Sequence, residues 1–216
     1  GNPALGEGMY YVQDESSALA AHALQVQPGQ LVYDLCSAPG GKTTHLAQLM
    51  EDQGQILAFD LHQARLKLVE ENAQRLGVSI IETRLGDAAE NLGLTPVPRV
   101  LVDAPCSGLG TMGHRPDIRW RKRLDDVLEL AALQRRILGA AASYVAPGGL
   151  LLYSTCTLTK QENQDVAQWF LANHQEFRGA SFPSWFPSDA GPTWMKTILP
   201  HRHGLDGFFL AIFRKD

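Results

Sequence analysis

The chain has 216 residues, 44% apolar and 19% charged, which suits one large globular domain with a sizeable core and excludes a disordered or fibrous chain. Its formal net charge is −4, so a nucleic-acid partner, which usually meets a basic excess, must be argued from where the charges lie rather than from their sum. No apolar run approaches the ~20 residues that cross a bilayer, and Gly1 to Gly8 lacks the apolar centre of a secretory leader.

Residues 1–28 are expected to form a lead-in with one helix, Asp14 to Val26, capped by Asp14 or Ser16 and apolar along Ala18, Leu19, Ala21, Ala23 and Leu24. Gly1 stands where an initiator Met would, and reads as a boundary beyond which other domains are expected. Pro28 and Gly29 break the chain, and residues 29–216 are expected to form the main domain. Leu31 to Cys36 reads as a strand, Gly41 to Met50 as a helix, Gln55 to Asp60 as a strand and Gln63 to Leu76 as a helix ended by Gly77. Val78 to Arg84 and Arg99 to Ala104 read as the third and fourth strands. A long helix, Leu124 to Val145, is expected to close at Pro147-Gly148-Gly149, before a fifth strand, Leu150 to Thr155. A helix, Gln161 to Asn173, and a last strand, Gly207 to Phe213, complete the pattern.

Alternating helices and near-continuous apolar strands predict an α/β fold, a mostly parallel sheet with helices on both faces. Ligands of such sheets bind beyond the carboxyl ends of the strands. Those ends carry Asp34, Asp60, Asp87, Asp103 and all three cysteines, Cys36, Cys106 and Cys156. Cysteines serving only as small apolar residues sit more often inside strands and helices, so the clustering favours a site. Three cysteines far apart imply no disulfide framework and suit a reducing, cytoplasmic setting. They show no Cys-x-x-Cys pair or close Cys/His spacing, so no metal is expected.

The turn after the first strand runs Asp34-Leu35-Cys36-Ser37-Ala38-Pro39-Gly40-Gly41-Lys42. Gly40 and Gly41 would let backbone approach a ligand, and the helix amino end would suit a carboxylate such as that of S-adenosylmethionine. Asp60, at the end of the second strand, can accept from both hydroxyls of a ribose or cap the next helix, and Asp87 can reach an adenine amino group or act as a cap. On the chemical side stand Asp103-Ala104-Pro105-Cys106-Ser107-Gly108 and Ser154-Thr155-Cys156, on strands expected to be neighbours. Two cysteines and an acid suit one demanding reaction. Carbon 5 of cytosine becomes nucleophilic only after a thiolate adds to carbon 6, and an acid near the ring nitrogen holds the base. A buried Asp103 would do so with a raised pKa.

Together these three motifs resemble the Nop/Sun family of RNA cytosine-5 methyltransferases, nearest to its bacterial Sun type, which acts on 16S ribosomal RNA. Val12-Gln13-Asp14-Glu15-Ser16-Ser17, His114-Arg115-Pro116-Asp117 and Gly204-Leu205-Asp206-Gly207-Phe208-Phe209 add to the likeness, which covers nearly the whole chain. The resemblance implies a Rossmann-like methyltransferase fold of about seven strands with an antiparallel last strand. It also implies S-adenosylmethionine held by Cys36 to Lys42 with Asp60, Asp87 and Asp103, Cys156 as nucleophile, and Cys106 assisting breakdown of the adduct. By the same likeness, an amino-terminal RNA-binding region is expected elsewhere in the protein. Ser37 and Thr157 stand where Ala and Ser are common.

The loop after Cys106 carries Arg115, Arg119, Arg121, Lys122 and Arg123, which suit RNA phosphates, while Trp120 is expected to pack in the core. His201, Arg202 and His203 form a second basic patch. The rival readings are methylation of transfer RNA, an inactive RNA-binding module, and a cysteine hydrolase. The last needs a His beside the thiol, and the Cys156 motif has none.

Overall fold

The computed structural model describes residues 3–186 and 192–216; Gly1 lies outside the described residues. Five strands run parallel: β1 (Leu31–Asp34), β2 (Gln55–Asp60), β3 (Ile81–Leu85), β4 (Val97–Asp103) and β5 (Val145–Thr155). The sheet continues with β6 (Phe177–Gly179), β7 (Met195–Ile198) and β8 (Phe208–Lys215). The order is β3-β2-β1-β4-β5-β8-β6, with β7 also on β8. β8 is therefore the expected antiparallel last strand, inserted between β5 and the outer rank. That rank was not among the expected strands and brings the sheet to eight rather than about seven: β6 pairs with the end of β8 and β7 with its start. Segments of 3 and 4 residues are too short to show an alternation in sequence.

After a single turn, α1 (Pro3–Gly6), the lead-in forms α2 (Glu15–Ala23). The carboxylate of Asp14 caps α2 by accepting the Ser16 and Ser17 N–H groups. The remaining helices are α3 (Gly41–Leu49), α4 (Gln63–Arg75), α5 (Ile118–Arg121), α6 (Leu124–Ala141), α7 (Gln164–Asn173) and α8 (Pro200–His203). Pro147-Gly148-Gly149 does not close the long helix, contrary to expectation. α6 ends in a 3-10 turn, Ala142–Tyr144, and the Pro-Gly-Gly lies inside β5. There Val97 pairs with Val145 but Arg99 with Leu150, so the glycines form a bulge, which Gly148 permits by its φ of 75°.

The strands alternate between two cores. Val100 and Val102, Leu151 and Tyr153, and Phe209, Ala211 and Phe213 join one, with Leu138 of α6 and Phe170 of α7. Leu101, Leu150 and Leu152, and Leu210 and Ile212 join the other, with Ala20 of α2 and Leu46 of α3. Truncating one such side chain to Ala costs on the order of 2–5 kcal/mol. With helices on both faces, the carboxyl ends of the parallel strands are left to form a site.

Candidate active site

Asp34 ends β1 and is buried; the Thr43 hydroxyl donates to its Oδ2 at 2.7 Å and the Cys36 N–H to its Oδ1 at 3.4 Å. Burial pushes its pKa from 3.8 up to about 7, against the downward pull of the Thr43 bond. Burial also holds the Cys36 thiol well above the usual range, so it stands as a neutral wall group. Asp60 ends β2, where it accepts the His62 N–H at 3.0 Å and faces Arg65 Nη1 at 3.2 Å. Asp103 ends β4. Lys42 Nζ donates to its Oδ2 at 2.8 Å and Ser154 Oγ to its Oδ1 at 2.7 Å. At 29% exposure Asp103 is an ion-paired carboxylate in touch with solvent, which corrects the expectation of a buried acid.

A cavity of about 450 Å³ opens beside these strand ends. Cys36, Ala38, Asp60, Asp87 and Asp103 lie on its wall, with Leu133 and Ile137 of α6. Asp87 also accepts the Ala89 N–H at 2.9 Å, so the capping role and the wall position coexist. Ser37, Pro39, Gly40 and Gly41 are not on this wall. The Ser37 hydroxyl is spent on the Phe59 carbonyl at 3.0 Å. Gly40 has a φ of 105°, and a Cβ there would lie 3.1 Å from the Val69 Cα of α4; one on Gly41 would lie 2.9 Å from the Tyr11 ring. Packing against α4 and the lead-in thus itself requires glycine at both positions. Arg65 was missed in the sequence; it bonds the Ala38 carbonyl at 2.8 Å and so ties Asp60 to the cavity wall. Its only signal was a cation in the first turn of α4, five residues after Asp60.

Lys42 belongs to a second cavity, of about 970 Å³, together with Arg115, Arg121 and Lys122. Arg119 and Arg123 are not on its wall. The Arg119 guanidinium lies 6.0 Å from the Trp120 ring centroid, and the Arg123 N–H donates to Asp126 Oδ2 at 2.8 Å. Trp120 is 83% exposed, not in the core, because the four-residue α5 buries none of its residues. His114 Nε2 stands 3.5 Å from Asp206 Oδ1 at the edge of this cavity, and His201–His203 lie in α8.

The two cavities share Asp103, Ala104, Cys106 and Cys156. The Sγ atoms of Cys106 and Cys156 are 3.3 Å apart. The hydrogen bond from Cys106 pulls the Cys156 thiol below its ordinary pKa, and the Lys42 charge helps, against burial and Asp103. The same bond, with burial, holds Cys106 well above its ordinary value. The two thiols are thus uneven in acidity, Cys156 being the more acidic of the pair. Behind them lie two fully buried polar side chains that were missed in the sequence, Glu162 and Asn163. Their signal was slight: two polar residues where the helix after Cys156 was expected to begin.

This fold is the Rossmann-like fold of S-adenosylmethionine-dependent methyltransferases. Residues 21–214 match the family described as 16S rRNA methyltransferase RsmB/F, and the chain belongs to that family. It is 44% identical over 220 residues to a probable ribosomal RNA small subunit methyltransferase B of Synechocystis sp., covering 99% of this chain and 49% of that protein. A probable methyltransferase B of Bacillus subtilis is 41% identical over 215 residues, covering 96% and 48%. The crystal structure of NSun6 from Pyrococcus horikoshii with SFG superposes with a TM-score of 0.90 at 34% identity, covering 98% of this chain and 54% of that one. The chain spans about half the length of the curated relatives it matches.

Proposed function

We propose that this chain is the methyl-transfer unit of an RNA cytosine-5 methyltransferase acting on 16S ribosomal RNA in the cytoplasm, with residues 29–216 as the transferase domain and 1–28 as its lead-in. The observation that carries the reading is the pair of thiols 3.3 Å apart on the common wall of two cavities, beside the Lys42–Asp103 ion pair. One cavity suits the cofactor and the other a base with its flanking phosphates.

The smaller cavity fits S-adenosylmethionine chemically. Asp60 and Asp87 offer acceptors for ribose hydroxyls and an adenine amino group, and Leu133 and Ile137 offer apolar surface for a flat ring. The cofactor supplies an electrophilic methyl group when bound. Within the segment Cys36 to Lys42, we assign Cys36 and Ala38 to contact, Ser37, Pro39, Gly40 and Gly41 to the shape of the turn, and Lys42 to the side of the base. Asp103 then serves both sides, lining the cofactor cavity and facing the ring nitrogen and amino group of cytosine.

Cys156, the more acidic thiol, adds as thiolate to carbon 6, and the electron pair displaced from the ring makes carbon 5 nucleophilic. Carbon 5 takes the methyl group from bound S-adenosylmethionine, which is left as the neutral thioether. Carbon 5 then loses its proton to a base as the C6–S bond breaks, the ring double bond re-forms and Cys156 departs as thiolate. Cys106, within hydrogen-bond reach of the departing sulfur, assists that breakdown. Reaching Cys156 requires the target base to leave its stack, and Arg115, Arg121 and Lys122 suit the phosphates beside it. Arg119 and Arg123 are assigned to a wider RNA contact outside the cavity.

The test is incubation with radiolabelled S-adenosylmethionine and protein-free small-subunit RNA. Wild type is expected to label carbon 5 of cytosine. Cys156→Ala is expected to lose transfer by roughly a thousandfold or more, and Cys106→Ala to trap a covalent RNA adduct. Full transfer by Cys156→Ala overturns the nucleophile. Label in transfer RNA alone moves the substrate, and cofactor binding without transfer to any RNA points to an inactive module.

A further inference from the structure

We infer that the dipeptide Glu162-Asn163 is a positioning device that clamps the peptides on both sides of each cysteine and so sets the separation of the two thiols. The inference rests on the reading of Cys106 and Cys156 as the reacting pair.

Cys106 is held through its neighbours. The Ser107 N–H donates to Glu162 Oε1 at 2.8 Å and the Ser107 hydroxyl to Glu162 Oε2 at 2.6 Å. Gln134 Nε2 bridges Glu162 Oε1, at 3.0 Å, to the carbonyl of Pro105, at 2.9 Å. Cys156 is held in the same manner by the next residue. The Thr155 hydroxyl donates to Asn163 Oδ1 at 2.6 Å, and Asn163 Nδ2 donates to the Thr157 carbonyl at 2.9 Å. A hydroxyl bridge, Ser107 Oγ to Thr157 Oγ1 at 2.7 Å, joins the two loops. Because the Ser107 proton is spent on Glu162, Thr157 is the donor there. Asn163 occupies the position where an Asn side chain commonly caps a helix, yet it makes no such cap to α7. Its side chain is committed to the thiol loops instead.

The readout is the pH dependence of iodoacetamide alkylation at Cys156, followed by peptide mass spectrometry, beside thermal melting of each variant. It needs no RNA and no methyl transfer, so it stands or falls apart from the proposed reaction. Cys106, Asp103 and Lys42 face Cys156, and the variants Asn163→Ala and Thr157→Val change no charge, so a shifted midpoint reads a lost Cys106 contact. The midpoint is expected to rise by about one pH unit in Asn163→Ala and by part of that in Thr157→Val. Thr157→Val matches the native shape and carries the test if Asn163→Ala does not fold. Glu162 also accepts the Thr159 hydroxyl at 2.7 Å; because Glu162→Gln removes a buried charge, it is followed by melting alone and the midpoint is judged on the two uncharged substitutions. Folded variants that melt lower with an unmoved midpoint overturn the proposal, because a purely structural role costs stability and leaves the thiol alone.

Discussion

Asp34 shows what a single residue at the rim contributes. Its carboxyl is buried behind the cavity wall with a pKa raised from 3.8 to about 7, so the neutral form is the native one in weakly acid solution. The folded value lies above the unfolded one. The stability tied to it is therefore full below about pH 4 and is lost as the pH rises through about 7. Asp34→Asn stays neutral and still accepts the Thr43 hydroxyl. Its stability is expected to decline less than that of wild type between pH 4 and pH 8, by up to roughly 1.4 kcal/mol per unit of the pKa difference, and parallel urea-melt profiles would refute this. At this scale the acids and cysteines were legible, because chemistry gathers at the ends of parallel strands. Their partners were not: Lys42 meets Asp103 across 61 residues of sequence, and the exposure of Trp120 follows from α5 burying none of its residues.

Between elements, Gly110 joins three segments. Its N–H donates to the Cys156 carbonyl at 2.9 Å, and its own carbonyl accepts the Gly207 N–H at 2.9 Å, just before β8. A Cβ there would lie 2.0 Å from the Gly207 carbonyl oxygen and 2.8 Å from that of Cys156, both backbone atoms that cannot swing aside. Gly110→Ala is expected to cost about 1–3 kcal/mol and to lower methyl transfer more than cofactor affinity, as calorimetry with S-adenosylmethionine would check; unchanged melting would sink the argument. The parallel strands and main helices were readable from apolar runs and glycine or proline breaks. The Pro-Gly-Gly bulge in β5 and the two short pieces on β8 were not, since both are fixed by partners distant in sequence. Glu162 and Asn163 were hidden for the same reason. Polar residues at a helix start look solvated until the loops they hold are seen to cover them.

For the whole molecule, a net charge of −4 coexists with Arg115, Arg121 and Lys122 gathered on one cavity. If these side chains meet phosphates, each neutralisation to Ala should lower the slope of log affinity against log salt by about 0.7–0.9. Trp120→Ala should instead weaken binding by about 1–3 kcal/mol with the slope unchanged, as loss of a stacking surface does. Filter binding to the RNA across a salt series separates the two, and an unchanged slope in every arginine variant removes these residues from the interface. The broken outer rank of the sheet bears on a different matter, colloidal behaviour. An uninterrupted edge strand is a template for another chain, yet here one margin is two fragments of 3 and 4 residues. The opposite margin, β3, carries Glu82 and Arg84, both exposed and paired at 2.9 Å. Among the described residues neither margin offers a long, uncharged ladder of free N–H and C=O groups, which protects the sheet at both ends against edge-to-edge aggregation.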